Sequence, residues 1–231
     1  TTMSTVLITH ACRYTGPDAT RTLNIPGNTV LCHDLSLSDA SARNAFEAAN
    51  PGSLALKTSL PEDVIAEALQ YTPAIDILYC NQFQLPEAKP IDETDDAEFR
   101  LTLETLLIDP YRFIRSTLPS LRQSEQARIT IVTSAAPLRP GAGVSLYASA
   151  RAGANTLVES LARELGADDI AVFGIAPNYY VSDDTYSQVA FDKSERFRAS
   201  VERNVPLKRL SKPQEMPALI NYLAGADSDF I

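Results

Sequence analysis

Tyr147-Ala-Ser-Ala-Arg151 places a phenol and a guanidinium one helical turn apart, on the same face. Upstream, Ser134 ends the apolar run Ile129-Thr130-Ile131-Val132-Thr133, which reads as a buried strand leading into the helix of Tyr147. A hydroxyl at a strand's C-terminal end, facing a tyrosine on the next helix, can hold an alcohol and take its proton. A free tyrosine ionises near ~10, and a fixed cation within ~4–6 Å favours the phenolate by roughly 1–3 units. Arginine suits that task because it stays charged and does not itself act as a base. A Tyr-x-x-x-Arg pair alone also fits the surface of an ordinary helix. Ser134 and the strand–loop–helix order are what single this one out.

The elements that must position these residues alternate from the start. Strands are read at Val6–Thr9, Thr29–His33, Leu54–Leu56, Ile75–Cys80, Ile129–Val132 and Ile170–Ile175. Helices are read up to Leu23, from a Ser38 cap to Ala49, from Pro61, from about Glu93 past Pro110 to about Leu118, and through Tyr147 and Arg151 to Leu165. The segment Pro177–Ser194 has weak periodicity and is expected to cover the site, and helices around Glu195–Asn204 and Gln214–Ala224 follow. Repeated β–α units predict one α/β domain over residues 1–231, a Rossmann-like, doubly wound parallel sheet with helices on both faces. Ligands in such sheets bind beyond the carboxyl ends of the strands, where Thr9, Asn81, Ser134 and Pro177 fall. The acidic run from Asp92 to Glu98 reads as the first turn of the long helix, where carboxylates meet the positive end of the dipole.

A net charge of −9 argues against nucleic acid and anionic membranes as partners. It leaves room for a small anionic ligand, because a local dipole can outweigh a distant net charge. Cys12, Cys32 and Cys80 show no C-x-x-C spacing and read as free thiols in a reducing compartment. His10 and His33 have no ligand-spaced companions and read as structural, with no metal implied. No stretch has the length of a membrane span, and Thr1-Thr2-Met3-Ser4 lacks the marks of a signal peptide, so a cytoplasmic location is expected.

A dinucleotide-binding fold normally carries a glycine-rich turn after its first strand. Here the turn reads Thr9-His10-Ala11-Cys12-Arg13-Tyr14-Thr15-Gly16, with bulk where phosphate oxygens need room. Arg13 could instead pair with a phosphate, and Asp34 stands roughly where an acid would meet an NAD ribose. The missing glycines weigh more, since an Asp after a strand is commonplace. After the sixth strand, Pro177-Asn178-Tyr179-Tyr180 offers backbone N–H groups and an amide that can surround an anion.

The Ser134–Tyr147–Arg151 set resembles the short-chain dehydrogenase/reductase superfamily, with Arg151 where a Lys normally stands. Joined to Pro177-Asn178-Tyr179, it is the signature of the halohydrin dehalogenases, a branch without the nicotinamide cofactor. Two further departures from the reductases agree: Cys80-Asn81-Gln82-Phe83 in place of Asn-Ala-Gly, and no Asn between Glu93 and Leu118. The resemblance implies a carbon–halogen lyase that turns vicinal halohydrins into epoxides and, in reverse, opens epoxides with azide, cyanide or nitrite. It implies Ser134 as hydrogen-bond donor, Tyr147 as base, and Arg151 as the charge that activates it. A halide site is implied at Tyr14, Pro177, Asn178, Tyr179 and Tyr180, and a substrate pocket at Phe83, Pro86, Ala88, Val144 and Tyr186. Tyr179 and Tyr180 fit a packed aromatic corner equally well. No cofactor is implied. The partners are a small halohydrin or epoxide, a halide ion, and further copies of the chain in a homotetramer, with a dimer as the alternative. Family members continue beyond the equivalent of Phe230-Ile231 with another strand and a glycine pair. The competing readings are an NAD(P)-dependent oxidoreductase with an atypical Arg, and a noncatalytic sensor on the same fold.

Overall fold

The β-rich run Thr5-Val-Leu-Ile-Thr9 is buried along its whole length, as a strand covered on both faces must be. It forms β1, the centre of the sheet in the computed structural model, which describes residues 3–225. Around it lie β2 (Thr29–Cys32), β3 (Ser53–Ala55), β4 (Ile77–Cys80), β5 (Arg128–Val132) and β6 (Ala171–Ile175). The order is β3-β2-β1-β4-β5-β6, and every pairing is parallel. The winding reverses between β1 and β4, so the ends of these two strands open a crevice where a ligand can enter.

Two apolar layers hold helices to the sheet. On one face α1 (Gly16–Leu23) and α9 (Glu215–Ala224) bring Ala19, Leu23, Met216 and Ile220 onto Val6, Ile8 and Val30. On the other face lie α3 (Pro61–Ala68), α5 (Asp109–Leu121) and α6 (Ser145–Leu165). They bury Val64, Phe113, Ile114, Leu161 and Leu165 against Leu7, Leu78 and Ile129. The remaining helices are α2 (Ala40–Ala49), α4 (Asp96–Leu103), α7 (Gln188–Lys193) and α8 (Glu195–Asn204). No helix among the described residues is long and apolar enough to cross a membrane.

The expected strands are all present, with ends shifted by a residue or two. The helix starts differ for local reasons. Ser38 sits in a 3₁₀ turn and its hydroxyl donates to Leu35 O, so Asp39 caps α2 instead, accepting the Ala42 N–H at 2.9 Å. The long helix begins after Asp95, whose carboxylate forms a reciprocal capping box with Glu98. Pro110 is carried by a π turn over Glu104–Ile108, an adjustment to the missing proline N–H. The helix then continues past Leu118 to Leu121. The expected cover is partly helical, because Ser187 caps α7 through the Ala190 N–H. Phe230 and Ile231 lie outside the described residues.

Gly16 is the one residue of the first turn that glycine chemistry still dictates. A Cβ there would lie 2.5 Å from His10 O and 2.6 Å from Ala11 O, backbone atoms that cannot yield. Gly16→Ala is expected to destabilise the fold by about 1–3 kcal/mol, the usual effect of overpacking; urea unfolding would measure it.

Candidate active site

Arg151 is fully buried. One terminal nitrogen donates to Val132 O at 2.8 Å and the other to Gln82 O at 3.1 Å, so the last residue of β5 and the loop after β4 fix its plane. Its guanidinium carbon lies 5.4 Å from the Tyr147 ring centroid. Among the described residues no carboxylate pairs with it. The positive charge is therefore held behind the phenol by neutral carbonyls alone.

Ser134 is buried at the end of β5, and its Oγ accepts the Ala136 N–H at 3.0 Å. That bond uses a lone pair and leaves the O–H free to donate. One more turn along α6 from Arg151, Asn155 donates to Ser134 O at 3.1 Å. Tyr147, Arg151 and Asn155 thus share a helix face; Arg151 and Asn155 hold the strand end that carries the serine, and Tyr147 lines the same cavity as Ser134. The i, i+4, i+8 spacing could have revealed Asn155 in the sequence.

Ser134 and Tyr147 face a cavity of about 140 Å³. The same space is lined by Tyr14, Pro177, Asn178, Tyr179, Tyr180 and Tyr186, all expected, and by Leu85, Ala136 and Thr185, which sequence reading missed. Each missed residue lies within two positions of one that was singled out. The structure does not bring Phe83, Pro86, Ala88 or Val144 into this cavity. Phe83 stacks behind Tyr14, with centroids 4.6 Å apart. Pro86, Ala88 and Val144 belong to two flanking segments joined by the Lys89 N–H to Gly143 O bond of 2.9 Å.

The wall formed by Tyr14 and Pro177–Tyr180 has distinctive backbone geometry. Tyr14 and Tyr179 both hold left-handed φ angles of 51°, a conformation costing on the order of 1–3 kcal/mol each. A left-handed residue of this kind can turn successive N–H groups towards one side of the chain. Among the described residues nothing accepts a hydrogen bond from the N–H groups of Asn178, Tyr179 or Tyr180. The Tyr180 hydroxyl donates to Asp18 Oδ2 at 2.6 Å, and the Tyr179 hydroxyl meets Ser200 and Asn204 at 3.2 and 3.1 Å. Tyr180 is thus both packed corner and cavity wall. Burial pushes the Tyr14 and Tyr180 hydroxyls far above the usual phenol range, and burial also raises Tyr186. These three phenols therefore stay neutral.

The turn after β1 does not fit a dinucleotide. Asp184, from the cover, accepts the Tyr14 N–H at 2.6 Å and the Arg13 Nε–H at 2.6 Å, the two donors a phosphate would need. Asp34 accepts the Cys12 N–H at 3.2 Å, and its other oxygen takes the Ser36 N–H and hydroxyl. Asn81 ties the turn down, donating to His10 O and Arg13 O at 2.9 and 2.8 Å. The features that could have served a cofactor are spent on the turn itself.

The chain is similar to a solved structure described as a dehalogenation enzyme, with a TM-score of 0.92 and 35% identity, covering 100% of this chain and 94% of that one. It is equally similar in fold to a halohydrin dehalogenase bound to ethyl (2S)-oxiran-2-ylacetate, with a TM-score of 0.92, 31% identity and coverage of 98% and 92%. The chain belongs to the halohydrin dehalogenase family. The wider superfamily is visible as well. A family model described as enoyl-(acyl carrier protein) reductase matches residues 55–231. The 3-oxoacyl-(acyl-carrier-protein) reductase FabG of Vibrio harveyi is 28% identical over 228 residues, 97% of this chain and 91% of that protein. Halohydrin dehalogenases and reductases thus share this scaffold, and the turn after β1 is where the present chain departs from dinucleotide chemistry.

His33 lies behind this halohydrin dehalogenase site, beside His10 at 6.1 Å between ring centroids. Burial, reinforced by His10, lowers it to about 4. In the unfolded chain a histidine titrates near ~6.5. Between these values the unfolded state binds more protons, so stability falls as pH drops from ~6.5 towards about 4 and the loss is complete below. The gap corresponds to roughly 3 kcal/mol at most. Urea unfolding across this range is expected to show that acid limb, and His33→Asn is expected to flatten it.

Proposed function

We propose that this protein is a cofactor-independent carbon–halogen lyase acting on small vicinal halohydrins. The carrying observation is a single cavity with Ser134 and Tyr147 on one side and the curled Pro177–Tyr180 backbone on the other, with the Arg151 cation behind the phenol. Its volume of about 140 Å³ suits a substrate of a few carbon atoms.

In this reading the free Ser134 O–H donates to the substrate oxygen and Tyr147 takes the hydroxyl proton as general base. Arg151 favours the negative charge that develops on the phenol, from a site with little water to screen it. The alkoxide attacks the neighbouring carbon from behind. The carbon–halogen bond breaks, its electron pair leaves with the halide, and an epoxide, a halide ion and a proton result. The nucleophile lies within the substrate, so holding the anti conformer supplies most of the required order. Halide leaves towards the Asn178–Tyr180 N–H groups and the neutral phenols of Tyr14 and Tyr180. Run backwards, azide, cyanide or nitrite enters by the same route and opens an epoxide.

Phe83 contributes to this site by backing Tyr14, while Pro86, Ala88 and Val144 flank it. A homotetramer built on the long helices is supported by Phe99, Leu101 and Tyr111, exposed along α4 and α5. A cytoplasmic location accords with the free thiols of Cys12, Cys32 and Cys80. Incubation with 1,3-dichloro-2-propanol and no cofactor is expected to release chloride and acid in equal amounts. Tyr147→Phe is expected to lower kcat by about 10²–10⁴-fold, the range of general base catalysis. Saturable binding of NADH or NADPH, or undiminished turnover in Tyr147→Phe, would refute the reading.

A further inference from the structure

The tip of the cover is a defined turn. The Ser182 N–H donates to Tyr186 O at 3.2 Å, and the Thr185 N–H donates back to Ser182 O at 3.3 Å. The Thr185 hydroxyl donates to Tyr180 O at 2.9 Å and meets Ser182 Oγ at 2.8 Å. Thr185 and Tyr186 point into the reaction cavity, while Asp184 at the apex points the other way, onto the turn after β1.

There the Asp184 carboxylate is only 15% exposed and both its oxygens are engaged. The partner Arg13 is 56% exposed, so the ion pair by itself contributes little. The bond to the Tyr14 N–H is the consequential one. Tyr14 holds an unfavourable left-handed backbone, and its ring stacks on Phe83 and meets Tyr180 edge-on at 5.4 Å. An accepted N–H at residue 14 fixes where that ring stands. Asp184 therefore joins the turn that presents Tyr14 to the cover that presents Thr185 and Tyr186, beside the Tyr14–Tyr180 ring contact and the Tyr180–Asp18 hydrogen bond.

We propose that Asp184 is a positioning residue. Its carboxylate latches the cover onto the first turn and so holds Tyr14 as the wall of the anion-binding half of the cavity. This rests on the lyase reading for its kinetic consequences, but the latch itself does not.

The test uses the full chain with Asp184→Ala and the isosteric Asp184→Asn. Hydrogen exchange is expected to speed up together in residues 10–16 and 178–187 in both variants, while α3 keeps its protection. With 1,3-dichloro-2-propanol, KM and the bromide inhibition constant are expected to rise about tenfold in Asp184→Ala, the scale of one charge-assisted hydrogen bond. The value of kcat should change much less. Added acetate should restore KM saturably in Asp184→Ala by re-seating a carboxylate on the Tyr14 N–H and Arg13, whereas acetamide should not. Unaltered exchange in both segments would overturn the latch. So would a KM and bromide constant equal to wild type, or a defect that acetate leaves untouched. If the wild-type protein releases no halide, the lyase reading fails, and the exchange measurement alone upholds or overturns the latch. If Asp184→Ala does not fold, Asp184→Asn decides by the same exchange and KM criteria.

Discussion

A guanidinium removed from water must find hydrogen-bond acceptors, and it keeps its charge whether or not it finds a counter-ion. Arg151 meets that constraint with two backbone carbonyls, Val132 O at the end of β5 and Gln82 O beyond β4. One acceptor ends β5 and the other lies two residues beyond the adjacent parallel strand β4, so the arginine is also a gauge of the sheet. It can sit flat only if β4, β5 and α6 are correctly placed. With no carboxylate among the described residues to neutralise it, the favourable sink for its field is the ring beside it. The same side chain that completes the core thus holds its guanidinium carbon 5.4 Å from the Tyr147 ring centroid. Here a structural requirement and a chemical one are met by one side chain.

The opposite half of the cavity solves the complementary problem. In the proposed reaction a protein of net charge −9 receives an anion. It does so without a cation at the receiving end, using the peptide N–H groups around the left-handed Tyr179 and phenols that burial keeps neutral. Such a site favours a large, weakly hydrated ion, because little hydration is lost on entry. The turn after β1 is filled from within the chain: the Asp184 carboxylate takes the Tyr14 N–H and the Arg13 Nε–H, and Asp34 takes the Cys12 N–H.

Periodicity and strand-end logic made most of this legible in the sequence. Alternating apolar runs gave the sheet and its order of elements, and residues at strand ends pointed to the crevice. Ser134, Tyr147 and Arg151 were readable because they sit on one strand and one helix with fixed spacing. The loops were harder. Pro86 and Ala88 were placed in the pocket by resemblance, yet their backbone is tied to Gly143 and runs beside the cavity, with Leu85 turned inward instead. Asp184 carried no local signal at all. Its partners Arg13 and Tyr14 are about 170 positions away, and only the folded chain brings them together. Ser38 and Asp39 show a smaller version of the same limit, since either could cap α2 until a 3₁₀ turn consumed the serine.

Tyr14 and Tyr180 border a second, outer space of about 790 Å³ as well as the inner one. They are a partition one aromatic layer thick between the cavity that Ser134 and Tyr147 face and a wider outer space lined by Asp18, Arg21, Asp183 and Asp184. Under the lyase reading, ion retention and ion-size discrimination are then the same mechanical property, set by how firmly two rings stay upright.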